Sequence, residues 1–378
     1  MAVYKSLVKK VSIAPNKKTK QKEYLTKGKL PIIDQGKELI GGYSDDMTKK
    51  IICNLPVIVF GDHTKAVKLI LFPFGAGADG IKVLEPKEGI NPKYLYYGTQ
   101  YLTYRIEDKG YARHYQYIEK KNLPVPALPQ QERIVARIEE LFSQLDSGVE
   151  TLKKTKQQLV VYRQAVLKEA FEGNFTTCEK SWRFLPIMDV CANIVDCPHS
   201  TPKWAKAGKL CLRTTNFRRG YLDLSEKNFV SAEVYNERIA RLKPEPGDVL
   251  FSREGAILGI ACIIPAYTEV CLGQRMMLLR VNEIVNNKFL MYFLNSPRTN
   301  ALVSENIGGS ASPHINVGDI KKFKIPVPST DIQEKVVGEI ESRLSVCESI
   351  EQTVEAALQQ AEAIRQSILK QAFEGRMM

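Results

Sequence analysis

The chain repeats itself at an offset of 202 residues, and nothing else in it constrains the fold as strongly. Leu123-Pro124-Val125-Pro126 returns as Ile325-Pro326-Val327-Pro328, and Gln131-Glu132-Arg133 as Gln333-Glu334-Lys335. Arg163-Gln164 returns as Arg365-Gln366. Leu167-Lys168 with Ala170-Phe171-Glu172-Gly173 returns as Leu369-Lys370 with Ala372-Phe373-Glu374-Gly375. No gap is needed across about fifty residues, so one structural element is used twice.

Both copies read as a single long helix. Ile138, Phe142, Leu145, Val149, Leu152, Leu159, Val166 and Ala170 fall in steps of four and three or their multiples, as do Ile340, Leu344, Cys347, Val354, Leu358, Ala361, Ile368 and Ala372. That spacing is a coiled-coil seam. Pro129 suits a first helical turn, Thr330 with Gln333 forms a capping-box pattern, and Gly173 and Gly375 sit where a left-handed C-cap belongs. Each helix would extend roughly 65 Å, the length of a spacer. Neither can bury such a seam alone, and the simplest partner for each is the other, antiparallel. The C-terminus then returns near the N-terminus.

The segments between the helices repeat more loosely. Gly28-Lys29-Leu30 matches Gly208-Lys209-Leu210, Val57-Ile58-Val59-Phe60-Gly61 matches Val249-Leu250-Phe251-Ser252, and Lys93-Tyr94-Leu95-Tyr96-Tyr97 matches Lys288-Phe289-Leu290-Met291-Tyr292. The first two pairs read as strands or strand entries and the third has helical spacing. The expected class is therefore α+β. Two mixed α/β domains, 1–127 and 175–327, would be separated by two long antiparallel coiled-coil helices, 128–174 and 328–378, in a pseudo-two-fold cyclic arrangement.

With 44% hydrophobic and 25% charged residues the composition is that of a globular protein, which excludes disorder and fibrous folds. No apolar run approaches the ~20 residues of a membrane span. Lys5, Lys9 and Lys10 stand where a signal peptide would become apolar, so a cytoplasmic location is expected. Cys53, Cys211, Cys262, Cys271 and Cys347 lie among apolar neighbours, as small buried hydrophobes would. Cys191, Cys197 and His199 lack a fourth ligand and a zinc-like spacing, so no metal is expected.

Net charge is +12, and nine of the first 29 residues are lysine against the single acid Glu23. Such a surplus attracts a polyanion. Gly75-Ala76-Gly77-Ala78-Asp79-Gly80 satisfies a dinucleotide-binding pattern on paper. The strand-like Ile81-Lys82-Val83-Leu84-Glu85-Pro86 follows it where the motif needs a helix, so a glycine-rich turn is the better reading. There is no phosphate loop, no Gly-x-Ser-x-Gly elbow and no Asn-Pro-Pro-aromatic motif, and the expectation is a binder without catalytic, cofactor or metal residues.

Side chains that read bases are fork-shaped or bidentate groups on loops, beside cations that meet phosphates. The candidates are Lys17, Lys18, Lys20, Gln35, His63, Thr64, Lys65, Arg113 and His114 in the first domain. In the second they are Arg213, Thr214, Thr215, Asn216, Arg218, Arg219, Arg253, Arg275, Ser310, Ser312 and His314.

The chain resembles the specificity subunit of type I restriction-modification enzymes over essentially its whole length. Phe60-Gly61-Asp62-His63-Thr64 with Phe72-Pro73-Phe74 and the following Gly77-to-Leu84 stretch looks like one recurrent type of target-recognition domain. Gly247-Asp248-Val249-Leu250-Phe251 with Gly255 and Gly259, then Ser310-Ala311 and Pro313-His314-Ile315-Asn316, looks like another. The helices that open near Gln-Glu-Arg or Gln-Glu-Lys and end in Ala-Phe-Glu-Gly are similar to the family's repeated helical regions. The resemblance implies a subunit that reads a bipartite asymmetric target in double-stranded DNA and docks two modification (methyltransferase) subunits. Restriction or translocase subunits would be further partners, and S-adenosylmethionine, Mg and ATP would sit on partner subunits. The first domain shows Gly110-Tyr111-Ala112-Arg113-His114 where the second shows Ser-Ala-x-Pro-His-Ile-Asn, which leaves the equivalence of those loops open. The alternative is a non-catalytic assembly scaffold whose basic surface binds partners or nucleic acid without reading sequence.

Overall fold

The computed structural model describes residues 1–77, 80–107, 112–175, 182–308 and 313–376. Two 44-residue helices, Leu128–Phe171 and Thr330–Phe373, occupy the positions the repeat assigns them. Pro129 lies in the first turn of the first helix. Both helices end in the same closing motif: Asn174 donates its N–H to the Glu169 carbonyl and Arg376 to the Gln371 carbonyl. The turn passes through Gly173 at φ +85° and Gly375 at φ +78°, where a side chain would be strained.

The helix start corrects one expectation. Gln333 does not close a capping box with Thr330. Its side chain is fully buried and accepts from the Asn286 N–H at 2.8 Å while donating to the carbonyls of Ile284 and Pro328, each at 2.9 Å. Gln131 does the same in the first copy, accepting from Asn91 N–H at 2.9 Å and donating to Gly89 and Pro126 carbonyls at 3.0 and 2.8 Å. Satisfying three backbone groups that are at least partly withdrawn from water outweighs a local cap that water could replace. Asn91 and Asn286 in turn cap the helices Pro92–Tyr104 and Asn287–Leu294. Each long helix is thus pinned at its base to the short helix beside it.

The chain forms two compact units, Met1–Lys153 with Val354–Met378, and Lys154–Thr353. Each long helix begins in one unit and ends in the other, and both chain termini belong to the first. In the first unit Ile134, Val135 and Ile138 from the start of the first helix share a core with Ile368, Leu369, Ala372 and Phe373 from the end of the second. In the second unit the roles exchange, and Val336, Val337 and Ile340 meet Val166, Leu167, Ala170 and Phe171. The two helices therefore run antiparallel within each unit, and the two cores consist of the same positions at the 202-residue offset. Seam residues further along, including Leu159, Cys347, Val354 and Ala361, are also buried.

Each unit is built on a four-stranded antiparallel sheet of the same order. In the first unit this is Val8–Val11, Ile81–Pro86, Val57–Gly61, Val67–Ile70. In the second it is Cys191–Asp196, Met276–Val281, Val249–Ser252, Ala261–Ile263. The inner strands Val57–Gly61 and Val249–Ser252 are buried along their whole length, which explains their continuous apolar runs. A second, smaller sheet adds parallel pairing in each unit, Gly75–Gly77 with both Leu30–Ile33 and Lys18–Thr19 in the first, and Lys209–Leu212 with Cys271–Leu272 in the second.

Gly75–Gly77 is thus a strand where a turn was expected. A Cβ on Gly75 would fall 2.7 Å from Ile32 Cδ1, and one on Gly77 would fall 2.6 Å from the Tyr24 hydroxyl. Those glycines permit close strand packing, which is why they resemble a nucleotide loop without being one.

Candidate nucleic-acid interface

The expected reading loops of the first unit gather where its central strand ends. Gly61 accepts the Lys65 N–H at 2.9 Å, closing a tight turn in which Lys65 takes φ +61° and Thr64 is exposed. Thr64 Oγ1 donates to the Gln35 carbonyl at 2.5 Å, so the turn is tied to the segment after Leu30–Ile33. Gln35 Oε1 is buried with no hydrogen-bond partner among the described residues, close against Gly80. His63 is half-buried beside the same glycine, and Arg113 is exposed. Lys20 is exposed, while Lys17 donates to the Thr48 carbonyl at 2.5 Å and Lys18 lies on a short strand parallel to Gly75–Gly77.

In the second unit Arg213 lies over the Trp204 ring, 5.4 Å from its centroid, with Thr214 half-buried and Thr215 exposed behind it. Arg218 is exposed and donates to Thr215 O and Asp223 Oδ2, each at 2.8 Å. Hydrogen bonds from Ser225, with the Arg218 charge adding to them, hold the Asp223 carboxyl below the usual carboxylate range. Arg219 reaches Asn295 and Asn300 at 3.4 and 3.5 Å. Arg275 is exposed, takes φ +69°, and lies 3.8 Å from Glu254. His314 is half-buried and exchanges backbone hydrogen bonds with Gly308. Ser310 and Ser312, like Gly110-Tyr111 and Ala78-Asp79, lie outside the described residues.

Three of the expected base-facing residues are instead committed to the protein. His114 is fully buried, with its N–H on the Asp62 carbonyl at 2.8 Å and its ring Nδ1 3.0 Å from the same oxygen. Asn216 is 4% exposed, accepts from Arg213 N–H, and donates to the carbonyls of Asp223 and Glu226. Arg253 forms a bidentate pair with Asp196 at 2.7 and 2.8 Å. Both amide hydrogens of Asn216 are spent within the protein, and all three side chains are buried away from a base edge, His114 Nε2 having no hydrogen-bond partner among the described residues.

The loops whose equivalence the sequence left open are equivalent. His114 donates its N–H to Asp62 O at 2.8 Å, and Ile315 donates to Arg253 O at 2.9 Å. Asp62 in turn donates to Gly80 O at 2.5 Å, and Arg253 to Arg275 O at 3.0 Å. The register agrees, since Gly61 pairs with Ile81 and Ser252 with Met276 immediately before. Asp62, Lys82 and Asp196, which hold these loops, are the residues that sequence reasoning missed. Asp62 stood inside a quoted motif, but its neighbours across the fold did not.

Cys191 and Cys197 form no metal cluster with His199 among the described residues, and burial pushes the Cys191 thiol up to about 12. No helix among the described residues is long and apolar enough to cross a membrane.

A family model for the type I restriction modification DNA specificity domain matches residues 8–160 and again 212–360. The specificity subunit of the type I restriction enzyme EcoKI from Escherichia coli (strain K12) is 25% identical over 269 residues, or 68% of this chain. The chain spans 58% of that relative's length. Among solved structures, a chain from a study of complex assembly and conformational transition in the type I R-M system matches with a TM-score of 0.70 at 17% identity, covering 99% of this chain and 97% of that one. The HsdS subunit from Thermoanaerobacter tengcongensis matches with a TM-score of 0.52 at 17% identity, covering 99% and 96%. These two likenesses are of fold.

Proposed function

Since the chain belongs to the type I restriction modification DNA specificity family, we propose that it is the subunit that reads a two-part DNA target for a methyltransferase complex and itself performs no chemistry. The observation that carries this is the pairing of two matching cores with diverged loops. The same scaffold presents His63, Thr64, Lys65 and Arg113 in one unit, and Arg213, Arg218 and Arg275 in the other. Different side chains on the same frame imply different bases, so the target halves differ in sequence. The net charge of +12 supplies phosphate attraction that does not depend on sequence.

The long helices serve two roles in this reading. They set the distance between the halves, and they offer docking surface to two modification subunits. Val160, Val161, Val346 and Ile350 stay exposed on them, as residues awaiting a partner do. S-adenosylmethionine, Mg and ATP belong to the partner subunits.

The test is to map methylated adenines in a host genome expressing the chain with its modification subunits, and again after inserting four residues into both long helices. One extra turn adds about 6 Å to each helix. The native chain should mark a split target of two unlike halves, and the insertion should lengthen only the unread spacer, by about two base pairs. A fixed spacer with changed bases refutes the reading. So does binding whose preference for target over random duplex vanishes as salt rises, the behaviour of a scaffold with a basic surface.

A further inference from the structure

The same backbone joint closes the central strand in both units, yet it is locked by side chains of opposite charge. In the first unit Asp62 is 2% exposed; its Oδ1 accepts the Tyr115 N–H at 2.9 Å and its Oδ2 lies 3.3 Å from Lys82 Nζ. In the second unit the equivalent residue is Arg253, whose fork grips Asp196 at the end of Cys191–Asp196, the strand on the far side of Met276–Val281. Asp196 Oδ2 also lies 3.1 Å from His199, at the entry to the segment whose Thr201 meets Gln274.

We propose that Asp62 with Lys82, and Arg253 with Asp196, are the positioning residues of the two base-reading loop sets, each acting on one half of the target only. This rests on the DNA-reading function proposed above. His63, Thr64 and Lys65 follow Asp62 directly, and Arg113 precedes the His114-Tyr115 pair that Asp62 holds. One carboxylate therefore fixes how far the 112–115 segment stands from the 63–65 turn. Arg275 is likewise bonded through its carbonyl to the Arg253 N–H. Removing either clamp leaves a buried partner unsatisfied, and the loops must shift to hydrate it. A shift of about 1 Å is enough to spoil bidentate reading of a base edge. Neither clamp touches DNA itself.

The experiment uses the assembled complex and the mapping of methylated adenines in a host genome, with D62A, D62N, K82M, R253M and D196A. D62A should lower discrimination about tenfold at one or two positions of one half-target, with the other half read as before. D62N keeps an acceptor for the Tyr115 N–H but loses the charge, and should fall between D62A and the native chain. R253M and D196A should relax the other half. Should D62A fail to accumulate, D62N and K82M carry the same half-specific expectation. Relaxation of both halves by one variant, uniform loss of methylation with unchanged specificity, or no change at all would each overturn the positioning role. A native complex that marks no split target would instead remove the DNA-reading premise, leaving the clamp as fold alone.

Discussion

The two units agree where the long helices meet them and differ where their strands end. At the helix ends Phe373 packs on Tyr94 at 5.0 Å and Phe171 on the matching Phe289 at 5.1 Å, while their second ring partners, Tyr101 at 5.3 Å and Phe293 at 5.4 Å, come from different positions of the two short helices. At the strand ends an acid replaces an arginine, and the small sheets extend on opposite sides. Lys18–Thr19 joins beside the strand Gly75–Gly77 in one, while Trp204–Ala205 joins beside Phe229–Val230 in the other. The contrast separates two kinds of constraint. Packing around the helices must match so that one duplicated rod fits both units, whereas the loops need only be rigid, and rigidity can be reached with either sign of charge.

If the agreement is as deep as the geometry indicates, paired substitutions should have paired effects. The largest should come from Phe373→Ala and Phe171→Ala, each removing a buried aromatic at a cost of about 3–5 kcal/mol. The chain has two compact units and should not unfold in one step, so the measurement is hydrogen exchange resolved by segment. Phe373→Ala should loosen Pro92–Tyr104, and Phe171→Ala should loosen Asn287–Leu294. A loss confined to one of the two variants would break the equivalence. Next in size, Gln131→Leu and Gln333→Leu should each cost about 2–4 kcal/mol by stranding a partly buried N–H and two carbonyls. Faster exchange at Asn91 or Asn286 respectively is the local readout.

How much of this was legible in sequence follows the same division. The seam, the helix ends and the central strands declare themselves because periodicity and glycine positions are local properties. Gln131 and Gln333 were visible as a repeated motif, but their task was not, because it lies in carbonyls more than forty residues away. The site was harder still. His114, Asn216 and Arg253 look like exposed loop polars, just as Thr64 and Arg113 do. Only the partner decides, and Asp62, Asp223 and Asp196 are brought to them by the fold. Gly75–Gly77 misled for the opposite reason: glycine carries no side chain to announce a strand, and the crowding by Ile32 and Tyr24 that demands it is non-local.

The smallest effect probes the difference most finely, at the equivalent positions Gly80 and Arg275, both left-handed at φ +77° and +69°. Gly80→Ala should cost about 1–2 kcal/mol, since the backbone strain adds to a Cβ placed 2.6 Å from Gln35 Oε1. Arg275→Gly should leave stability within about 0.5 kcal/mol, because relief of the strain offsets the added freedom of the unfolded chain. Its effect should appear instead in DNA binding, as a loss of about 1–3 kcal/mol at the target if the guanidinium meets a base. Thermal unfolding with and without target duplex separates the two. An Arg275→Gly chain that binds target as well as the native one would mean that arginine stands in the strained position for its Glu254 contact, and that the reading residues of the second unit lie in the 213–219 loop.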